Sequence, residues 1–549
     1  MFFFPSASDF APSSTEKTPA AFVFVCLTVV LIILVSLPAL VSPAEDAAIL
    51  FQYSNNLAHH GAIAYNLTDG PAEGATDFLW MLSIASFSKL GMPEYLSANL
   101  LSFMAAAATL LLVPKLIEFQ NRWATPVLAA GLLISPSLAA AAAGFSNLVF
   151  GLALLLTAIF AVRRGAVAFY AIALLTCLIR PDGCIPVAVA CLYRWAILLR
   201  DPDTTFYARP SRELVPLFCA AVIGIAYFVW RWHYFGELFP LPFLVKSACA
   251  DPKFGVCLEF TRGHLRYILF TSAAYVAFLY FAPRQLRPVG TSIFAVMCLS
   301  LLVFYSFVRL EQNIADRFFY PVYLGGLMLT ALALPAGRWG LRQSVVVLAM
   351  LALMPGLRGM PRIWQDTIGD QWAHNGEPIA VGLRSIQPQG KLGTTEAGIL
   401  SYLSDWPTVD VWGLNTARYA RHLPTPDDIA QEKFDLLVVH AGPLGYGSYL
   451  HIGEYCSQAA RKERSWEAMV ENIFIAMCKL TPNEYEILLV PRLIPQKARN
   501  RGTEETRFDV AFLNRSYPGF RQVEQLLRTH GSIDLETFRS NRMIAAKAH

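Results

Sequence analysis

The sequence predicts a polytopic α-helical membrane protein of about 11 transmembrane helices, N-terminus in and C-terminus out, with a C-terminal extracytoplasmic α/β domain. Three observations predict it. Of 549 residues, 55% are hydrophobic and only 15% charged, with a mean hydropathy of +0.44, whereas a soluble chain carries about 25% charge. Apolar runs of bilayer-spanning length recur from Ala20 to about residue 360. Beyond Met360 the charge density becomes ordinary. A net charge of +4, spread along the chain, excludes nucleic acid as an expected partner. An aromatic content of 13% suits a protein with many rings at membrane–water interfaces.

Residues 1–19 read as a cytoplasmic tail. The run Ala20 to Val41 is too long for a signal peptide and lacks a small-residue cleavage site, so it reads as a retained first span. Further spans are expected at 95–114, 124–143, 146–162, 166–180, 183–199, 214–235, 265–282, 289–308, 317–335 and 343–360. The segment 76–91 is apolar but short, and reads as a re-entrant or interfacial helix within a first outer loop, 42–94. Basic residues fix the orientation, because Lys and Arg accumulate in cytoplasmic loops. With 76–91 not crossing, Lys115, Arg122, Arg163, Arg164, Arg200, Arg209, Arg212, Arg284, Arg287, Arg338 and Arg342 all fall on one side.

The opposite ends of the spans then gather at one mouth: "AEDAA" (44–48), "EGATDFLW" (73–80), "SPSL" (135–138), "RPDG" (180–183), "FGELFPLPFLVKSA" (235–248) and "IADRFFYP" (314–321). Charges at such depths cost about 2.5–3.5 kcal/mol each near a helix centre on insertion scales, so this concentration points to a site. Residues 20–360 are thus the transmembrane module, and 361–549 an extracytoplasmic domain whose short apolar runs suggest buried strands alternating with helices. Outside the membrane, Cys249 with Cys257 and Cys456 with Cys478 are each spaced to close a disulfide, or to remain free.

The acidic pair Glu45 and Asp46 after the first span, followed by Gly74, Thr76, Leu79 and Trp80, resembles the polytopic GT-C glycosyltransferases. The nearest resemblance is to the terminal arabinofuranosyltransferases of mycobacterial cell walls and their uncharacterised bacterial relatives. "RPDG", "FGELFP…K", "DRFFYP" and "VDVWGLN" (409–415) have counterparts there. This chain departs from the family at Phe78, where Pro is usual, and at Asp77, where Ser or Asn is usual. The resemblance implies a GT-C-like fold in a bacterial inner (plasma) membrane. It implies transfer of a sugar, arabinofuranose by the nearest relatives, from a polyprenyl-phosphate donor to a cell-envelope glycan or glycolipid on the outer face. The alternative is a polyprenyl-lipid or glycolipid transporter or flippase, though polar residues at one face and the absence of matched halves argue against it.

Glycosyl transfer needs a carboxylate to take the acceptor hydroxyl's proton and cations for the leaving phosphate. Asp46, where the family places its first-loop acid, is the expected base, with Glu45 its competitor; both could instead merely begin a helix. Arg180, Lys246 and Arg317 are the expected phosphate ligands. Each has a structural alternative: Arg180 paired with Asp182, Lys246 snorkelling from an interfacial helix, Arg317 satisfied by Asp316. Asp77, Tyr53, Asn56, His59 and Asp316 are candidates for contacting acceptor or substrate. Adjacent His59 and His60 diverge by about 100° on a helix and form no metal pair; no metal or cofactor is expected to be required.

Overall fold

The computed structural model describes residues 20–40, 42–114, 123–163, 165–200, 211–247, 262–281, 290–308, 310, 313–333, 364, 371–440, 448–480, 483–492 and 507–538. The tail 1–19, the expected span 343–360, the Cys249–Cys257 pair and most of the basic loops lie outside the described residues.

Apolar helices overlap the expected spans as far as Ala333. Among the described residues, three of them are long and apolar enough to cross a bilayer, Glu94–Leu111, Pro181–Leu199 and Arg212–Phe235, and a fourth crossing arises if a bent pair is one span. That pair is Ala124–Leu133 and Pro136–Ala142, bent by 57°. The bend has a local cause. Pro136 lacks the N–H that would continue the first helix, and the Ser135 hydroxyl caps the second by accepting from the Ser137 N–H at 3.0 Å. The first helix, Ala20–Ser36, is apolar all round and gives way to a 3-10 turn containing Pro38. Segment 76–91 forms a helix of 12 residues, Phe78–Lys89, too short to span.

Between the first two apolar helices lies Glu45–His60, ended by Gly61 in the left-handed conformation. Its tether to the bundle is the Ala44 N–H donated to Ala143 O at 3.0 Å, at the end of the bent pair. Residues 371–538 include a six-stranded mixed sheet in the order β2-β1-β3-β5-β4-β6: β1 Leu392–Thr394, β2 Thr408–Asp410, β3 Leu436–Val439, β4 Tyr485–Arg492, β5 Arg507–Asn514 and β6 Ile533–Asp534. β1 runs parallel to β2 and β3, and the remaining pairs are antiparallel.

Alternation with period 2 gives the sheet two buried faces. Leu437, Val439, Val510 and Phe512 pack against the helix Trp466–Leu480, while Leu436, Val438, Ala511 and Leu513 pack against Ile379, Leu383, Val523 and Leu527 of two other helices. Cys456 and Cys478 form a disulfide on the first of these faces. The ordinary charge density after Met360 is thus that of a sheet whose faces are covered by its own helices.

Candidate active site

A cavity of about 560 Å³ opens where the apolar helices meet the sheet unit. Asp46, Asp77, Arg180, Asp182, Lys246 and Arg317 all line it, so the three expected cations and two of the expected acids converge from five separate segments. Each arrives for a local reason. Asp46 begins the helix after the first span. Asp77 immediately precedes Phe78–Lys89, but its side chain does not cap that helix and instead accepts from the Ser146 hydroxyl at 2.7 Å. Arg180 stands in extended backbone where the helix Ala166–Ile179 stops before Pro181. Arg317 follows two left-handed residues, Ala315 (φ 52°) and Asp316 (φ 55°). This conformation costs roughly 1–2 kcal/mol per L-residue and belongs to the kink that brings the guanidinium to the cavity.

Lys246 comes from the short helix Leu241–Ser247. Leu241 and Val245 of that helix are buried in the sheet unit's core beside Trp412 and Val409, so the helix is anchored to the sheet unit. Lys246 itself is half-buried, and has no ion-pair partner among the described residues.

Both cavity arginines are paired. Arg317 donates to Asp46 at 2.7 Å, not to its chain neighbour Asp316. Asp316 instead accepts from the Tyr267 hydroxyl at 3.1 Å and does not line the cavity. Arg180 grips Asp182 with two bonds, at 3.0 and 2.7 Å, the pairing the sequence offered as its structural alternative. The Phe318 ring lies 4.9 Å from the Arg317 guanidinium and 5.1 Å from that of Arg180, and Phe145 covers Arg317 at 3.9 Å. Stacked rings hold both cations in a fixed orientation without neutralising them. The Arg317 Nε is buried with no hydrogen-bond acceptor, a donor still to be satisfied.

The two loop acids are driven apart electrostatically. Burial pushes the Asp46 carboxyl up, but the Arg317 charge, then the Lys246 charge and the Arg317 hydrogen bond, outweigh it and leave the pKa below its ordinary value. Asp77 goes the other way: burial raises it beyond what the Arg180 charge and the Ser146 hydrogen bond restore. The two carboxyls are thus shifted in opposite directions from their ordinary value, a separation suited to different roles.

Not every expected residue reaches the cavity. Glu45 is buried, and its Oε2 accepts from the N–H groups of Gly398 (2.8 Å) and Ile399 (2.9 Å) in the sheet unit. Adjacent helical residues point about 100° apart, so only one of the pair can face the cavity, and that one is Asp46. A Cβ on residue 398 would lie 2.2 Å from Glu45 O and Oε2, so glycine is required there. Asn56 is spent on the carbonyls of Ala64 and Tyr65, at 2.8 and 3.1 Å. His59 is exposed, its ring 3.4 Å from the Ser88 hydroxyl and away from the cavity.

Tyr53 sits just behind the wall: its hydroxyl accepts from Gly74 N at 2.9 Å and donates to Asn415 Oδ1 at 3.2 Å. The "VDVWGLN" segment is therefore a joint. Asp410, at the end of β2, accepts from Trp412 N, Gly413 N, Asn415 N and the Asn415 amide. That turn presents Leu414 to the cavity and Asn415 to Tyr53. Gly74 has no room for a side chain, since a Cβ would fall 1.8 Å from Asn415 Oδ1.

Sequence reasoning did not name Ser146, Phe145, Tyr305 or Phe318 as site residues. Phe318 lies in the quoted "DRFFYP", and an aromatic directly after a site arginine was the available signal. Tyr305, whose hydroxyl donates to Asp182, carries no local signal at all.

A family profile described as a domain of unknown function (DUF8728) matches residues 367–489, within the sheet unit and the helix leading into it. No curated protein matches the chain in sequence. Among solved structures, ArnT from Cupriavidus metallidurans bound to undecaprenyl phosphate superposes with a TM-score of 0.54 at 14% identity, over 82% of this chain and 97% of that one. The apo form of the same protein gives 0.52 at 13%, over 90% and 97%. The arabinofuranosyltransferase AftD from Mycobacteria gives 0.47 at 14%, over 91% of this chain and 40% of its own, too low a value to bear on fold. The likeness to both ArnT structures runs through membrane helices and sheet unit together, and the chain has a GT-C-like fold.

Proposed function

We propose that this protein is a membrane glycosyltransferase that moves a sugar from a polyprenyl-phosphate donor to a cell-envelope glycan or glycolipid. The observation that carries the reading is the convergence of Arg180, Lys246 and Arg317 with Asp46 and Asp77 around one cavity at the end of the apolar helices. The likeness to ArnT, which was solved with undecaprenyl phosphate, supports a lipid-phosphate donor. The basic loops counted in the sequence favour an inner-membrane setting with the cavity and sheet unit on the outer face, and the Cys456–Cys478 disulfide suits that compartment. The sugar is read as arabinofuranose from the sequence resemblance, and the reaction as one that needs no metal.

In this reading the donor phosphate enters between Lys246 and Arg317. Three carboxylates and three cations line the cavity, and with Arg180 on Asp182 and Arg317 on Asp46 it is Lys246 that stands without a carboxylate in contact among the described residues, ready for an anionic ligand. A phosphate that shares the Arg317 and Lys246 charges with Asp46 weakens their pull on its carboxyl, so donor binding makes the base more basic. The acceptor oxygen then bonds to the anomeric carbon, the carbon–oxygen bond to phosphate breaks, and the acceptor proton passes to Asp46. Polyprenyl phosphate departs, stabilised by Lys246 and Arg317. A single displacement of this kind inverts the anomeric centre. Asp77 and Ser146 in this reading orient the acceptor hydroxyl, and the cavity-lining Phe304, Phe307, Val308 and Leu310 serve as an apolar wall for the isoprenoid.

The test is Asp46→Asn in purified protein, assayed with radiolabelled polyprenyl-phosphate sugars. A lost general base lowers turnover by about 10²–10⁴-fold, and donor binding should survive. Wild type that neither binds nor turns over any donor sinks the proposal. Donor binding followed by movement across a vesicle membrane without transfer would instead establish the flippase.

A further inference from the structure

A second cluster lies on the sheet unit, away from the cavity. One donor atom each from Glu396, His440 and Asp509 falls within 4.8 Å of the others. Topology brings them together. Glu396 follows β1, His440 directly follows β3, and Asp509 lies in β5, whose register sets Val510 opposite Val439 and therefore Asp509 opposite His440. β1 stands between β2 and β3, and the chain leaves it for β2 on one side before crossing back to β3 on the other. The ends of β1 and β3 are thus a topological switch point, where open α/β sheets bind ligands.

The donors are held in place. His440 Nδ1 lies 2.9 Å from Asp509 Oδ1, and that carboxylate is only 1% exposed. The His440 N–H donates to the Thr395 hydroxyl at 2.9 Å, and the Trp466 indole N–H donates to His440 O at 3.1 Å. The Thr394 hydroxyl both donates to Glu396 O (2.7 Å) and accepts from Glu396 N (3.1 Å). Backbone hydrogen bonds thus set the segments that carry Glu396 and His440, and the contact between His440 and buried Asp509 orients two of the three donors.

We infer that Glu396, His440 and Asp509 form a binding site for one divalent transition-metal ion, with Zn²⁺ the best chemical match. One imidazole and two carboxylates are a borderline donor set suited to Zn²⁺, whereas Ca²⁺ and Mg²⁺ favour oxygen alone and in greater number. Three protein ligands leave a fourth position for water or a ligand group. The ion's effect passes to the membrane side through the loop that carries Glu396. Its next residue, Ala397, accepts from the Tyr65 hydroxyl at 2.6 Å, and Gly398 and Ile399 follow on Glu45. Metal binding at these strand ends therefore stiffens the segment that holds the helix of Asp46. This inference does not depend on glycosyl transfer.

The experiment uses the full chain in detergent, free of any polyhistidine tag, stripped with EDTA and titrated with Zn²⁺. Bound metal is counted by mass spectrometry and affinity measured by calorimetry for wild type, Glu396→Gln, His440→Gln and Asp509→Asn. One Zn²⁺ per wild-type chain is expected, with each variant at least about tenfold weaker. Zn²⁺ should raise the melting temperature of stripped wild type, and Mg²⁺ should not. Stripped wild type that takes up no Zn²⁺, or binds it as tightly as all three variants, overturns the site; so does equal stabilisation by Mg²⁺. Should one variant fail to fold, the wild-type melting shift and the other two still decide.

Discussion

Glu45 distinguishes two roles that the sequence could not separate, and its substitution tests the assignment directly. The carboxylate accepts two backbone N–H groups, from Gly398 and Ile399, at 2.8 and 2.9 Å in a buried contact. Glu45→Ala leaves two buried donors without an acceptor, at about 1–3 kcal/mol each. Taking about 3 kcal/mol in total, local opening of this contact rises roughly 10²-fold, since 1.4 kcal/mol is a factor of ten. Glu45→Gln keeps an amide oxygen in place of the carboxylate and exchanges charge-assisted bonds for neutral ones of about half the strength. Its opening should rise only about tenfold. Hydrogen exchange of a peptide covering 396–403 reads this opening without reference to activity. A transfer assay beside it separates the roles, because a catalytic acid would lose most turnover in the Gln variant with exchange unchanged. Wild-type exchange in Glu45→Ala would refute the latch.

Two further outcomes are expected. Lys246→Met should weaken donor binding by about 10- to 150-fold, the range of one lost charge-assisted bond of about 1.5–3 kcal/mol, with Lys246→Arg recovering part of it; unchanged donor affinity would remove Lys246 from the phosphate site. Asp410 titrates at about 6, raised by burial against its hydrogen bonds from Gly413, Asn415 and Trp412. The folded state therefore holds this proton more tightly than the unfolded state does, and its share of stability falls as pH rises from about 4 to about 6. The loss amounts to about 3 kcal/mol. Melting temperatures of wild type and Asp410→Asn compared from pH 4 to 7 should converge or cross in that window, and parallel curves would contradict the assignment.

Sidedness made much of the site readable. Asp46, Arg180, Lys246 and Arg317 each stand at the end of an apolar or proline-broken run, where a charge is conspicuous and its face of the membrane can be counted. Rotation about a helix was not readable. Glu45 and Asp46 are neighbours in sequence, and which one faces the cavity depends on the sheet unit docking against the other. Arg317 likewise passes over Asp316 for Asp46, 271 residues away, because two left-handed residues turn the chain just before it. His440 and Asp509 are 69 residues apart and meet only through strand register. No local spacing announces them, so nothing legible along the chain points to a metal there. The α/β character of the end of the chain was legible from its short apolar runs. Its mixed strand order was not, since pairing between β3 and β5 is settled by packing on both faces.

The "VDVWGLN" joint bears on how this protein could be divided. Leu414 is part of the cavity wall, Asn415 holds Tyr53, and Lys246 rides on a helix whose anchors lie in the sheet core. Expressing the helical portion by itself would yield a cavity missing one wall and an adrift lysine. Exchanging the sheet unit for one from a relative would transplant part of the cavity wall along with it. Chimeras made at residue 360 should therefore exchange donor handling as well as acceptor choice, and a boundary drawn on composition alone cuts through the site.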